Sequence, residues 1–130
     1  MAAIYKESIV NVSAEKAWSA LGSVGEADKL FGPVLVDSHL EGDVRVVRFA
    51  NGTVLHERIL DLDENRRRIA YTALDAPGLT YHHASMQIRD EAPGQCLFTW
   101  ITDFTPAEMS GQLLPLIEQG THAFKFNLEK

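Results

Sequence analysis

The sequence predicts an α+β domain: one strand, two short helices, six further strands completing a curved seven-stranded antiparallel sheet, and one long C-terminal helix. Three observations carry this. Between residues 34 and 104, stretches of alternating apolar and polar residues recur, separated by Glu41-Gly42-Asp43, Asn51-Gly52, "DENR", Ala76-Pro77-Gly78 and "EAPGQ". That spacing of turns is the mark of an antiparallel meander. After Phe104 the period changes from two to that of a helix, with Leu113, Ile117, Phe124 and Leu128 near one face. Finally, the 130 residues contain no linker, repeat or low-complexity segment, so a single domain spans 1–130.

The elements follow in order. "AIYKESIVNV" alternates and reads as a strand. Ser13 is an N-cap for "AEKAWSAL", where Ala17, Trp18, Ala20 and Leu21 form an apolar stripe and Gly22 is a stop. "GEADKLFGP" reads as a second short helix ended by Gly32-Pro33. The strands "VLVDSHL", "VRVVRFA", "TVLHERILDL", "RRIAYTALD", "LTYHHASMQIRD" and "CLFTWITDF" come next. Thr105 with Glu108 has the spacing of a capping box, Pro106 suits the first helical position, and Pro115 should kink or split a helix over residues 106–128. A sheet this long must cover one apolar face, and the last helix is the only long element available. A cavity remains between them wherever the facing side chains do not fill it.

Composition narrows the function. Hydrophobic residues make up 45% of the chain and charged residues 23%, enough for a core without disulfides or metals. A net charge of −6 disfavours nucleic acid and anionic membranes as partners. Arg66-Arg67-Arg68, the one basic run, sits beside Asp61, Asp63 and Glu64 and reads as a solvated turn. Cys96 alternates with Phe98 and Trp100, as a packed structural thiol would. The N-terminal residues show no signal peptide, and no run reaches the roughly 18 apolar residues of a membrane span, so a cytoplasmic location is expected. The histidines lack metal-ligand spacing, and neither a G-x-S-x-G elbow nor a glycine-rich phosphate loop is present.

Alternation assigns inward sets. Ile69, Tyr71 and Ala73 form one; His82, Ala84, Met86 and Ile88 a second; Cys96, Phe98 and Trp100, continued by Thr102 and Phe104, a third. On the strand before them, Leu55, Glu57 and Ile59 oppose Val54, His56, Arg58 and Leu60. The second set holds more ionisable residues, so Glu57 faces inward, a lone carboxylate on an apolar wall. Its partner depends on the hairpin. A two-residue turn at Asn51-Gly52 pairs Val46 with Glu57 and brings Arg48 to its face; a three-residue loop pairs Val47 with Glu57 and brings Arg45.

The element order, with "GDVRVVRFANG", "HERILDLDENRRRIAYTALD", "YHHASMQI" and "FTWITDF", resembles the START-like helix-grip fold of the birch-pollen allergen, the SRPBCC superfamily. Within it the chain is similar to the polyketide cyclase/dehydrase branch, which includes plant lachrymatory-factor synthase. The fold resemblance covers nearly the whole chain, and the branch strings lie in residues 42–104. The resemblance implies a cavity Arg and Glu carrying acid–base chemistry, at Arg45 and Glu57, with Arg45, Val47 and Phe49 as the inward set. It implies a first cavity tyrosine at Tyr71. The second falls at His82, a departure that exchanges a phenol for an imidazole.

The expected function is a cofactor-free cyclase, dehydratase, isomerase or lyase acting on a small, hydrophobic or oxygenated organic molecule, with no metal. A non-catalytic carrier of such a ligand is the alternative. Glu57, Arg45, Tyr71 and His82 are the candidate catalytic residues. Phe49, Ile59, Ala84, Met86 and Phe98 are candidate ligand contacts from the sheet. Trp100, also from the sheet, joins Ile117, Gly120 and Phe124 from the helix, with Gly120 and the small Ala73 and Ala84 leaving space beside the indole. Monomer and homodimer are both open.

Overall fold

The computed structural model describes residues 1–130. β1 (Ala2–Val10) is followed by α1 (Ala14–Leu21), a 3-10 turn (Val24–Glu26) and α2 (Ala27–Phe31). β2 (Leu35–Glu41), β3 (Val44–Phe49), β4 (Val54–Asp63), β5 (Arg68–Ala73), β6 (Tyr81–Ala92) and β7 (Gln95–Thr105) then run as a meander, and α3 (Ser110–Glu129) ends the chain. All seven strands form one antiparallel sheet in the order β1-β7-β6-β5-β4-β3-β2. The sheet curves around α3, and α1 and α2 carry the chain from one sheet edge, β1, to the other, β2.

Local chemistry explains the starts and turns. Ser13 Oγ accepts the Lys16 N–H at 3.1 Å, and α1 buries Ala14, Ala17, Trp18 and Leu21, the stripe expected of an amphipathic helix. Gly42, at φ +66°, opens the two-residue turn between β2 and β3, a conformation that costs a residue without Cβ little. Alternation then sends Ile69, Ala84, Met86, Ile88, Cys96 and Phe98 into the main core. There the Phe98 and Phe124 rings stack at 4.0 Å. Each such aromatic contributes roughly 1.5–3 kcal/mol through burial.

Two expectations for the last helix are corrected. Thr105 does not cap it. Its hydroxyl pairs with the Thr80 hydroxyl at 2.7 Å and its carbonyl accepts the Thr80 N–H at 2.8 Å, which holds Thr105 in β7. Residues Ala107–Met109 form a 3-10 turn, and α3 starts at Ser110. Nor does Pro115 split the helix, which runs unbroken to Glu129 and buries Ile117, Gly120, Thr121, Ala123, Phe124 and Leu128. Pro115 lies one turn from the N-terminal end, where losing a single N–H removes only one helical hydrogen bond.

Candidate active site

The hairpin between β3 and β4 sets the site. Its loop is the three residues Ala50, Asn51 and Gly52, closed by Phe49 N–H to Thr53 O at 2.8 Å and Gly52 N–H to Phe49 O at 2.9 Å. Asn51 Oδ1 accepts the Thr53 N–H, and Gly52 takes φ +91°. In this register Arg45 stands directly opposite Glu57, and Val47 opposite Leu55. The pairing of Val47 with Glu57 expected for a three-residue loop is therefore off by two residues. A shift of two preserves the face, so Arg45 still meets Glu57. Arg48 lies on the outer face, half exposed, 3.9 Å from Asp37.

Arg45 Nε donates to Glu57 Oε1 at 2.9 Å, and the two side chains are only 5% and 12% exposed. Arg45 Nη1 lies 3.4 Å from the Val24 carbonyl oxygen in the 3-10 turn, and its guanidinium carbon sits 5.0 Å from the centre of the Tyr71 ring. The guanidinium is thus fixed from three directions. Glu57 Oε2 is left without a protein partner.

These groups open into a cavity of about 130 Å³ between the sheet, α2 and the N-terminal half of α3. Of 21 lining residues, 16 are hydrophobic, so the few polar groups stand in an apolar surround where electrostatic interactions strengthen. Tyr71 and His82 share its wall, ring centres 5.9 Å apart. Burial, reinforced by the Glu57 charge, pushes the Tyr71 phenol well above its usual range, against the opposing effect of Arg45 and the Trp100 indole. The phenol is a donor at any physiological pH. Burial, and secondarily the charge of His83, pushes His82 down to about 4. His82 Nδ1 accepts the Ala73 N–H at 2.9 Å, so the neutral ring carries its proton on Nε2. That bond and Thr72 Oγ1–H to His82 O, at 2.5 Å, hold β5 to β6 where their ladder has stopped beyond Tyr71 and Ala84.

The structure brings together Arg45, Glu57, Tyr71 and His82, with Phe49, Met86, Trp100, Ile117 and Gly120 also lining the cavity. It separates four of the expected contacts. Ile59, Ala84, Phe98 and Phe124 belong to the packed core beside the cavity, not to its wall. Ala84 is sealed between Tyr71 on β5 and Thr102 on β7, and Phe98 is covered by Phe124. Nor does Gly120 leave a void. A Cβ there would lie 2.8 Å from Trp100 Cζ3, because the indole already fills the space. Lining residues outside the expected set include Val34, Leu35, Ala76, Leu79 and Leu116. Ala76 and Leu79 lie in the loop between β5 and β6, where no periodicity could point to them. No group of three or more His, Cys, Asp and Glu side chains converges in a metal-holding arrangement, and no helix is long and apolar enough to cross a membrane.

A seven-stranded sheet curved around its C-terminal helix, with a cavity between them, defines a START-like, helix-grip protein. The chain belongs to the polyketide cyclase/dehydrase and lipid transport family, whose model matches residues 1–130. Among solved structures it is similar to an uncharacterized protein of Bacillus thuringiensis, with 20% identity, 99% of this chain and 100% of that one covered, and a TM-score of 0.92. It is also similar to a START superfamily protein of Mycobacterium smegmatis, with 15% identity, 98% and 97% covered, and a TM-score of 0.81. A third is the truncated norcoclaurine synthase of Thalictrum flavum, with 19% identity, 99% and 91% covered, and a TM-score of 0.76. At these identities the likeness is one of fold. No curated protein matches the sequence.

Proposed function

We propose that the protein is an acid–base enzyme of the cyclase, dehydratase, isomerase or lyase kind, acting in this cavity without a cofactor. The observation that carries the reading is the state of Glu57: one carboxylate oxygen held by Arg45, the other unpartnered in an apolar cavity. Oε2 takes a proton from a carbon next to a substrate carbonyl. The electron pair moves onto the carbonyl oxygen, where Tyr71 Oη–H and His82 Nε2–H donate to the developing enolate. Return of the proton to another carbon completes an isomerisation, loss of a β-hydroxyl as water a dehydration, and attack on a second carbonyl a ring closure. His82 acts here as a donor rather than a proton shuttle, since its Nδ1 is engaged by Ala73. Membership of a cyclase/dehydrase family and the fold shared with a synthase support the reading.

The test converts 3-cyclohexen-1-one to 2-cyclohexen-1-one, followed by the absorbance of the conjugated enone. The wild type should accelerate it, and Glu57→Gln should lower turnover by about 10²-fold or more while binding of cyclohexanone changes only a few-fold. Parental turnover by the variant, or a wild type that binds cyclohexanone without isomerising the probe, would make the protein a carrier. The largely hydrophobic lining favours that second reading.

A further inference from the structure

We infer that the ligand of this cavity is a compact, uncharged carbonyl compound about the size of one six-membered ring. The inference rests on the cavity reading above and adds the chemical class of its occupant. Size comes first. The cavity measures about 130 Å³. An apolar protein cavity of about 150 Å³ holds one benzene molecule, so a single ring or an equivalent short chain fills the space and a fused two-ring system would have to extend out of it.

Charge comes second. The Arg45 guanidinium is neutralised by Glu57 at 2.9 Å, and both are buried. Tyr71 is a neutral phenol and His82 a neutral imidazole. The polar wall therefore sums to zero. A carboxylate or ammonium ligand would enter a low-dielectric space with its charge uncompensated.

Hydrogen-bonding balance comes third. Tyr71 Oη–H and His82 Nε2–H, on residues that line the cavity, have no protein acceptor, while the Trp100 Nε1–H is wholly buried with the Tyr71 phenol as its polar neighbour. Against these donors stand one carboxylate oxygen, Glu57 Oε2, and the Thr102 hydroxyl, which donates or accepts. A wall rich in donors matches a ligand that brings an acceptor oxygen, and Oε2 is left opposite an acidic C–H. A hydrocarbon of the same shape would leave the donors unsatisfied.

Four probes separate these arguments: cyclohexanone, methylenecyclohexane, cyclohexanecarboxylate and 1-decalone. Binding is read by calorimetry and by the Trp100 indole N–H in ¹H–¹⁵N spectra. Trp18, whose Nε1–H is bonded to Glu64 at 2.8 Å, serves as the silent control. Cyclohexanone should bind at least about tenfold more tightly than each of the others. In Glu57→Gln the guanidinium loses its counter-charge, so cyclohexanecarboxylate should gain at least about tenfold on cyclohexanone. Equal or tighter wild-type binding of any of the other three probes overturns the inference, as does no binding of cyclohexanone at millimolar concentration. These readouts are affinities, and the isomerisation assay reads proton transfer. A wild type that ranks the probes as expected but does not isomerise loses the acid–base reading alone. One that isomerises yet prefers the anion or the two-ring ketone loses the ligand class alone.

Discussion

The two halves of α3 cover the same sheet with opposite results. Its C-terminal half carries Phe124 and Leu128 into the main core with Ile69, Ile88 and Val10, and there the Phe124 ring stacks on Phe98 at 4.0 Å. Its N-terminal half lays Leu113, Ile117 and Gly120 over Arg45, Glu57, Tyr71 and His82, and a cavity remains. The Trp100 indole divides them, pressed against Gly120 so closely that a Cβ there would lie 2.8 Å from its Cζ3. Apolar side chains interdigitate and close a gap. A buried ion pair leaves an oxygen that no apolar neighbour can satisfy, so the space beside it stays open.

The largest effects should come from emptying the filled end or unpairing the hollow one. Phe124→Ala should cost about 3–5 kcal/mol through lost burial and a new void. Arg45→Met should cost a similar amount for another reason, a buried carboxylate without its partner. The double variant Arg45→Met/Glu57→Leu should recover most of that loss in urea denaturation. A cost below about 1 kcal/mol for Arg45→Met alone would place the pair with exposed pairs such as Arg66 and Asp63.

An intermediate effect tests the partition. Gly120→Ala puts a Cβ 2.8 Å from Trp100 Cζ3, so the indole must move. Overpacking should cost about 1–3 kcal/mol. Trp100 fluorescence should shift while Trp18, in α1 with its indole N–H on Glu64, stays unchanged. An unperturbed spectrum with parental stability would mean that the indole does not divide the interior.

The most gradual effect is in pH. Burial pushes His82 down from its ordinary 6.5 to about 4, so the folded state refuses a proton that the unfolded chain accepts. Its contribution is complete above pH 6.5 and is lost as pH falls toward 4, with a slope of at most about 1.4 kcal/mol per pH unit. Asp63, Asp75 and Glu129, whose carboxyls are held below their usual values by hydrogen bonds, act only near and below their ordinary range of 3.8 to 4.5. Between pH 6.5 and 5, His82→Asn, which keeps an acceptor for the Ala73 N–H, should flatten the stability curve. An unchanged slope would mean that His82 is not shielded by the cavity wall.

The sequence carries more of the filled end than of the hollow one. Turn residues and a change of period placed every strand and the last helix, because these signals are local. The inward face of Glu57 was legible through alternation and Arg45 as its partner through the family resemblance, while the register across Asn51-Gly52 was not, since loop length shifts it without any trace in the strands. Alternation marks Ile59, Ala84, Phe98 and Phe124 as inward, but whether an inward residue meets another side chain or empty space depends on strands distant in sequence. The start of α3 was obscured for the same reason: the Thr105 hydroxyl goes to Thr80, 25 residues away, rather than to its own helix.

The central claim is that the hollow end is a site built around the free oxygen of Glu57. A crystal structure with cyclohexanone bound tests it most directly. The ketone oxygen should lie within hydrogen-bond distance of Tyr71 Oη or His82 Nε2, with an α-carbon roughly 3–3.5 Å from Glu57 Oε2. A ring bound instead in the outer groove beside Pro33, His122 and Phe126, or held in the cavity with its oxygen turned toward Leu79 and Leu116, would contradict it.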